Sequence, residues 1–330
     1  MAIIGIKTLI YGVAEVARST EFFKDFGLNL KYQSNEMSRF ELPEGSSVVI
    51  RHIEDPSLPP SILEGPGVRE LIWGVDTAED MQRLESNIGS DREVQHDTEG
   101  TVHFLTDFGV PMGLSLFEKK HVITAPDPLN SPGHVNRMNQ HRKWRQRAFP
   151  KIIAHAVFAV PDYEKGYEFM RDRLNFRLSD SQRGFGKYLR PDGASNHHTL
   201  LLLNANAHLP GFDGKPRFHH ANYGVEDVDE IMTGANYMVR KGWKASEQGL
   251  GRHRIDSALF YYLPCPAGGE AEYGADSDFV DNSWVPRDWV EPLFAYAHFV
   301  HNLPPFLLQP PTWKVEYLTD GKSVSDDIHS

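Results

Sequence analysis

The feature that most constrains the fold of this chain is an internal repeat. The stretch TLIYGVAEVARSTEFFKDFGL, which begins at Thr8, matches HAVFAVPDYEKGYEFMRDRLN, which begins at His155. A second match at nearly the same offset joins ELIWGVDTAEDM, from Glu70, to HANYGVEDVDEI, from His220. Each stretch has alternating apolar residues, then an acidic turn, then a helical pattern. The repeat predicts a duplicated chain with two strand–turn–helix units in each half.

A strand, a helix and further strands, repeated four times, predict an α+β fold of four βαβββ modules in two tandem domains, each curling a mixed sheet around a cavity. The length of 330 residues suits two domains. We expect a first domain at 1–123, a linker at 124–150, a second domain at 151–280 and a tail at 281–330.

The predicted linker and tail are set apart by composition. The stretch from Thr124 to Arg147 has three prolines, a basic end and no sustained apolar period. The tail is rich in Trp, Phe and Pro, and its LPPFLLQPPTW stretch cannot form a helix interior or a central strand. Because the tail is so aromatic, we expect it to pack on the second domain as far as Tyr317.

Charge and cysteine content limit the function classes. The net charge of -11 and the pI of about 5.8 argue against nucleic acid and membrane partners, because phosphate backbones and anionic lipids would be repelled. Cys265 is the single cysteine, which excludes an intrachain disulfide and fits a reducing compartment. The apolar N-terminal stretch alternates like a strand rather than a leader peptide. A cytoplasmic location is therefore expected.

Two histidines occupy equivalent positions in the related units of the second half. His155 begins the strand HAVFAV and His220 begins the strand HANYGV, so both should point into the same concave space. The segment ending at Glu272 adds a carboxylate, and because side chains alternate along a strand, Glu270 and Glu272 are both candidates. Two imidazoles and one carboxylate form the facial triad that holds Fe(II) with open positions for substrate and oxygen.

The alternative is that both histidines are ordinary half-buried strand residues, as a lone histidine usually is. Their equivalent placement argues against this, and the first half serves as an internal control. Its matching positions are Thr8, Glu70 and Leu116, when GLSL is aligned with GEAE. Such a set cannot bind a metal tightly, so the sequence predicts a site in one half only.

At this point the chain resembles the type I extradiol ring-cleaving dioxygenases of the vicinal-oxygen-chelate superfamily, over nearly its whole length. The segment GRHRIDSALFYYLPCPAGGEAEY, from Gly251 to Tyr273, is similar to the family signature and favours Glu272 over Glu270 as the ligand. The stretch FHHANY and the strand opening at His155 match the histidine ligands. The resemblance implies Fe(II) as cofactor, with Mn(II) also possible, held by His155, His220 and Glu272.

The resemblance also implies roles for residues around the metal. His253 and Tyr262 fall on positions that hydrogen-bond the substrate, and the pair His197 and His198 falls where the family has a histidine beside the oxygen site. Of the pair, His197 is favoured and His198 is next. Arg287 is similar to a family arginine that approaches the pocket, although a surface arginine paired with an acid is equally consistent with the sequence.

The implied activity is ring cleavage of a small aromatic diol by O2, in aromatic hydrocarbon catabolism, by a homo-oligomer. The sequence departs from the family at the turn beginning with Cys265, at Val157 and in the tail, which leaves the substrate open. Cys265 could be a soft metal ligand, but a small packed residue is favoured. The alternatives are a glyoxalase-type isomerase or lyase with the same metal and a metal-free binding protein of the same fold.

Overall fold

The computed structural model describes residues 2–209, 211–319 and 322–326. Four segments follow one another with the same order of elements, namely one strand, one helix and three strands. The α+β class and the four βαβββ modules predicted from the repeat are confirmed. None of the helices among the described residues is both long and apolar enough to cross a bilayer.

The helices of the four modules are similar in length, with 11, 11, 12 and 13 residues. The first contains β1 (Ile3–Val13), α1 (Val16–Phe26), β2 (Asn29–Gln33), β3 (Met37–Glu41) and β4 (Ser47–His52). The second contains β5 (Gly67–Val75), α2 (Ala78–Ile88), β6 (Gln95–His96), β7 (Val102–Leu105) and β8 (Pro111–Leu116). The third contains β9 (Ile152–Val160), α3 (Tyr163–Leu174), β10 (Arg177–Gln182), β11 (Gly186–Arg190) and β12 (Leu200–Asn204). The fourth contains β13 (Arg217–Gly224), α4 (Val228–Arg240), β14 (Gly251–Arg252), β15 (Leu259–Pro264) and β16 (Glu270–Ala275).

The acidic turns seen in the sequence begin the helices of the second half. The Asp162 carboxylate accepts a hydrogen bond from the backbone N–H of Lys165 at 3.0 Å, at the start of α3. The Asp227 carboxylate does the same for Glu230 at 2.9 Å, at the start of α4. These side chains satisfy N–H groups that have no partner within the helix, so each turn ends a strand and starts a helix at a fixed point.

The strands form two large mixed sheets with the same internal plan. The first has the order β2-β3-β4-β1-β5-β8-β7-β6. In the second, β14-β15-β16-β13-β9-β12-β11-β10 follows this plan, and strands of the tail extend it at both ends. In both sheets the leading strands of two modules pair antiparallel at the centre, and each pairs with the last strand of its own module in parallel. In each sheet, the last strand of a module therefore lies next to the leading strand of the same module.

The strand register corrects one alignment made from the sequence. In the second sheet, Glu272 is paired with Asn222, two residues before the Gly224 and Gly274 pair. In the first sheet, the residue two before the equivalent pair is Gly113, which is paired with Ile72. The counterpart of Glu272 is thus Gly113 rather than Leu116, because short sequence motifs do not fix which residues of two strands face each other.

A single hydrophobic cluster joins the two sheets through their helices and central strands. The Tyr11 hydroxyl from β1 lies 3.1 Å from the Tyr223 hydroxyl of β13 in the buried interior. Phe26 at the end of α1 stacks on Tyr273 of β16 with ring centroids 4.0 Å apart. Such stacked aromatic pairs add to the free energy gained from burial alone. The two halves therefore pack together through equivalent faces.

Residues 117–151, all of them described, form no helix or strand. The basic end of this segment binds the acidic start of α4: Arg145 lies 2.9 Å from Glu226, and Arg142 and Lys143 form ion pairs with Asp229 and Glu226. These contacts attach the connecting segment to the second half.

The tail packs on the second sheet, as its aromatic composition predicted. It contains β17 (Arg287–Trp289), α5 (Pro292–Tyr296), β18 (Phe299–Val300), a 3-10 turn at Pro305–Leu307, β19 (Val315–Thr319) and β20 (Lys322–Asp326). Strand β17 pairs in parallel with β10, and Trp289 is 1% exposed within a cluster that includes Val157 and Leu201. The tail thereby covers the face of the sheet that carries the candidate site.

Candidate metal centre

Three side chains converge on one point at the centre of the second sheet. The Nε2 atoms of His155 and His220 lie 3.2 Å apart, and they lie 3.3 and 3.4 Å from Oε2 of Glu272. All three residues are buried, and Glu272 is completely inaccessible to solvent. They form a compact group of possible metal ligands. The structure thus brings together the three residues that the sequence singled out as ligands.

The order of the strands places these side chains side by side. His155 on β9 and Glu272 on β16 are each paired with Asn222 of β13, from opposite sides, and His220 lies two residues before it. A β-bulge interrupts the pairing of β13 with β9 between Phe218 and His220. A bulge bends a strand and changes the direction of its side chains. The three central strands therefore supply one ligand each.

The environment of Glu272 fits a bound cation. Both of its carboxylate oxygens are buried and neither has a hydrogen-bond partner. A buried carboxylate without a partner is strongly unfavourable unless a cation compensates it. Neighbouring ligands at about 2.1 Å from an ion lie about 3.0 Å apart at right angles and about 3.4 Å apart in a tetrahedron. The separations of 3.2 to 3.4 Å match this range, so the residues fit a mononuclear metal.

His219 supports one of the ligands, a role that the sequence analysis did not identify. Its Nδ1 lies 2.7 Å from Nδ1 of His220, and its ring stacks on Phe212. Burial lowers the pKa of His219 to about 4 and also lowers the pKa of His220 well below its ordinary value, so both rings are neutral. A proton on Nδ1 of His220 that is shared with His219 leaves Nε2 of His220 free as a metal ligand.

The neighbouring histidines His197 and His198 point in different directions. His198 lines the cavity and stacks on His155, with ring centroids 4.3 Å apart. Burial lowers its pKa well below the ordinary value, with the nearby His155 as the next cause. His197 is fully buried behind it and directs Nε2 towards Asp180 at 3.2 Å. Of the two, the structure therefore brings His198, and not the favoured His197, into the site.

Arg287 also lies outside the cavity. Its Nη2 and Nε donate to Oδ2 of Asp180 at 2.6 and 3.0 Å, and its guanidinium stands over the rings of Trp284 and Trp289. Burial raises the pKa of Asp180, but the hydrogen bond from His197 and the charge of Arg287 outweigh it and lower the pKa below its ordinary value. Arg287 is thus paired with an acid, as the alternative interpretation of the sequence had it, although that acid is buried.

His253 and Tyr262 both reach the cavity and contact each other. Nε2 of His253 lies 3.1 Å from the Tyr262 hydroxyl, and Nδ1 of His253 lies 2.6 Å from the backbone carbonyl of Tyr296 in the tail. Because a carbonyl only accepts, Nδ1 carries a proton, and Nε2 of a neutral ring accepts from the Tyr262 hydroxyl. Burial raises the pKa of Tyr262 well above its ordinary value. The carbonyl of Tyr296 in the tail therefore orients the His253 ring, and the ring in turn orients the Tyr262 hydroxyl.

Other potential ligands lie next to the centre. His197, His198 and Asp256 form a second group, but Nδ1 of His197 and Nδ1 of His198 already lie 3.2 Å apart as hydrogen-bond partners, and Asp256 accepts from the Ser277 hydroxyl at 3.0 Å. Cys265 packs against the core, and burial raises the pKa of its thiol to about 12. Neither matches Glu272, whose oxygens have no hydrogen-bond partner.

The ligands open into a cavity of about 210 Å³. One wall, from β11, β12 and the loop that follows, is largely apolar and includes Phe185, Tyr188, Leu201, Leu203 and Phe212. The tail closes the cavity with Pro292, Leu293, Tyr296 and Phe306. A cavity of this kind, with a few polar groups at one end, suits a small aromatic molecule whose polar atoms reach the metal ligands.

The match of the sequence to known families agrees with this geometry. Residues 152–263 match the family described as the Glyoxalase/Bleomycin resistance protein/Dioxygenase superfamily. The second half of the chain therefore contains a domain of this superfamily.

Two curated relatives show what this chain is similar to. It is 33% identical over 146 residues to Metapyrocatechase 2 of Cupriavidus necator, covering 44% of this chain and 43% of that protein. It is 32% identical over 149 residues to the Iron-dependent extradiol dioxygenase of Rhodococcus jostii (strain RHA1), covering 41% and 47%. The chain thus spans less than half the length of the curated relatives it matches.

The fold similarity extends over nearly the whole chain. The Mn(II)-bound glyoxalase from Novosphingobium aromaticivorans has a TM-score of 0.70 with 20% identity, covering 94% of this chain and 96% of that one. Both halves, with their two mixed sheets, therefore share the architecture of that protein.

Proposed function

We propose that this chain is an extradiol ring-cleaving dioxygenase, which inserts both atoms of O2 into a catecholic substrate at a mononuclear Fe(II) held by His155, His220 and Glu272. One observation carries the proposal: three buried donor atoms lie 3.2 to 3.4 Å apart at the end of a cavity, and both Glu272 oxygens lack a hydrogen-bond partner. The similarity to an iron-dependent extradiol dioxygenase supports iron as the metal.

Bound Fe(II) would supply open coordination positions for the two diol oxygens and for O2, and would allow electron transfer from the diol to O2. The neutral His220 and the carboxylate of Glu272 would hold the ion, and His219 would keep His220 in the ligand tautomer. The apolar wall formed by Leu201 and Leu203 would take the aromatic ring and exclude water.

Two groups of this chain are placed to handle protons. His198 has Nδ1 against His197, so its Nε2 is the nitrogen left for the cavity, where it would hydrogen-bond to oxygen and would take up and return a proton. The Tyr262 hydroxyl donates to Nε2 of His253, and its oxygen would accept a hydrogen bond from a diol hydroxyl on the other side. In this proposal His198 takes the role that the sequence assigned first to His197.

The remaining expectations are part of the proposal. Action in the cytoplasm is supported by the single cysteine, and use in aromatic catabolism by the named relatives. A homo-oligomer is supported by the exposed apolar side chains of the connecting segment, of which Trp144 is 88% exposed. Large exposed apolar groups favour association with another surface.

The experiment is anaerobic reconstitution with Fe(II), followed by measurement of oxygen uptake with a panel of vicinal aromatic diols. We expect uptake of one O2 per diol and a ring-opened product, with loss of uptake after chelation of the metal. Iron-loaded protein that consumes no oxygen with any diol would contradict the proposal.

A metal-dependent isomerase of the glyoxalase kind is the second candidate, because the fold matches a Mn(II)-bound glyoxalase. Such sites commonly use a further carboxylate ligand. The described ligand group contains a single carboxylate, Glu272, and His198 and His253 lie beside it. Turnover of a substrate without O2 uptake would favour this second candidate.

A further inference from the structure

Glu270 is a carboxylate of the cavity that the proposed mechanism does not use. It lies two residues before Glu272 on β16, on the same side of the strand, and it is in register with His220 on β13. Its side chain is partly buried, and it has no hydrogen bond or ion pair with any residue that the structure describes. A carboxylate in such a position needs a donor to offset its loss of water.

The other acid of the cavity wall is already used. Asp256 accepts hydrogen bonds from the Ser277 hydroxyl at 3.0 Å and from the backbone N–H of Ala258 at 3.3 Å. The first bond joins the loop of Asp256 to the segment that follows β16, and the second lies within that loop. Glu270 is therefore the carboxylate of the cavity wall that remains available to a substrate.

Among the described residues that line the cavity, no lysine or arginine is present. Arg287 is bound to Asp180 outside it, and Arg254 donates to the backbone carbonyls of Phe294 and Ala297. A substrate carboxylate would thus meet Glu270 with no lysine or arginine of the cavity wall to compensate the two charges. Like charges at short distance in a poorly solvated site repel strongly, so such a substrate is disfavoured.

From this geometry we propose that Glu270 is a specificity-determining residue, which accepts a hydrogen bond from a hydroxyl or ammonium group on the substrate remote from its vicinal diol. The inference rests on the proposed function, and it names the substrate class: catechols whose side chain carries a hydrogen-bond donor and no carboxylate. The diol is held at the metal ligands, the ring lies on the apolar wall, and the side chain reaches Glu270.

The test measures binding rather than turnover. Anaerobic calorimetry with the Fe(II)-loaded protein gives the Kd of four catechols with side chains of similar size: aminoethyl, hydroxyethyl, propyl and carboxymethyl. Each is tried at ring positions 3 and 4, and the tighter position is used. We expect the two donor-bearing catechols to bind about tenfold tighter than the propyl compound, and the carboxymethyl compound to bind most weakly.

Two variants of Glu270 sharpen the test. In Glu270→Leu the ratio of the propyl to the aminoethyl Kd should fall about tenfold. In Glu270→Gln the preference for hydroxyethyl should persist, because an amide still accepts a hydrogen bond, while the preference for ammonium falls. The matched control is Glu21→Gln on α1 of the first half, an exposed glutamate paired with Lys24, which should leave all ratios unchanged.

The outcomes separate the two proposals. If unsubstituted catechol does not bind to the iron-loaded wild type, the proposed function fails and this inference falls with it. If catechol binds but the Kd ratios change less than twofold in both Glu270 variants, only the inference fails. Should the variants not load iron, the wild-type order decides, and tighter binding of the propyl or carboxymethyl compound than of both donors overturns it.

Discussion

The two sheets of this protein share one plan but differ at the three positions that carry the candidate metal centre. In the second sheet these positions hold His155, His220 and Glu272, and the carboxylate oxygens have no hydrogen-bond partner. In the first sheet, Thr8 bonds to the Ser47 hydroxyl at 2.9 Å, and Glu70 bonds to Nδ1 of His103 at 2.6 Å.

The third position of the first sheet is Gly113. A Cβ atom there would lie 2.6 Å from the Ile72 side chain and 3.1 Å from the carbonyl of Val102. No group of three potential ligands occurs among the described residues of this half. The comparison teaches that both sheets provide the same three positions, whereas the buried carboxylate without a hydrogen-bond partner makes those of the second sheet a candidate metal centre.

The largest contrast is expected for loss of the carboxylate in each half. Glu272→Gln should reduce metal affinity by more than the roughly 10–100-fold that loss of a supporting contact costs, and should abolish oxygen uptake. Without metal it should not lower stability, because an unpaired buried charge is removed. Glu70→Gln should leave metal content unchanged but destabilise the fold by about 1–3 kcal/mol, because it weakens the bond to His103.

Metal analysis by mass spectrometry and calorimetry in the presence of a chelator test these expectations. A Glu272 variant that retains full iron, or a Glu70 variant that loses it, would contradict the contrast between the halves.

Next in size is the effect of the two adjacent histidines. His198→Ala should lower kcat about 10²–10⁴-fold with iron content maintained, because an imidazole that takes up and returns a proton in the cavity is lost. His197→Ala should lower kcat less than about tenfold, because His197 faces Asp180. Steady-state oxygen uptake by the two variants, each with measured iron content, decides between them. A greater loss of kcat for the His197 variant would instead favour His197, as the sequence did, as the histidine beside the oxygen site.

A smaller effect is expected at the position that corresponds to Glu272. Gly113→Ala should destabilise the protein by about 1–3 kcal/mol, because the added methyl group must displace the side chain of Ile72. Chemical denaturation measures the change. As a control, Gly100→Ala tests backbone strain alone, since nothing lies near a Cβ atom at that glycine, which has a φ of +80°. An unchanged stability of the Gly113 variant would mean that this half has room for a ligand.

The smallest effect concerns pH. The hydrogen bond to Glu70 raises the pKa of His103 above its ordinary value, against the opposing effect of burial. Its contribution to stability is therefore fully present below the unfolded pKa of about 6.5 and is lost as pH rises through the raised folded pKa. We expect the free energy of unfolding of the wild type to fall relative to that of His103→Gln over this range. Parallel pH profiles of the two proteins would contradict it.

Much of the fold could be predicted from sequence because the repeat places equivalent residues at equivalent points of each module. His155 and His220 were found in this way, since each stands near the start of a leading strand. The direction of individual side chains could not be predicted. A β-bulge at Phe218 and His220 turns His219 towards the cavity, and no local pattern marks it.

Contacts between segments that are distant in the sequence could not be predicted either. Asp180 on β10 binds both His197 and Arg287, which removes these two residues from the cavity, yet nothing near Asp180 in the sequence indicates this. The pairing of Gly113 with Ile72 likewise depends on how two strands align in space. Such registers are decided by packing rather than by local sequence.

The contact of His253 with the carbonyl of Tyr296 means that the candidate site is completed by a segment that is synthesised after the ligands. The metal ligands are all synthesised before residue 292, whereas the helix that orients His253 and roofs the cavity comes later. A nascent chain emerging from the ribosome would present the three ligands while its pocket was still open to solvent. Competence for the proposed ring cleavage would therefore arise only once α5 has docked.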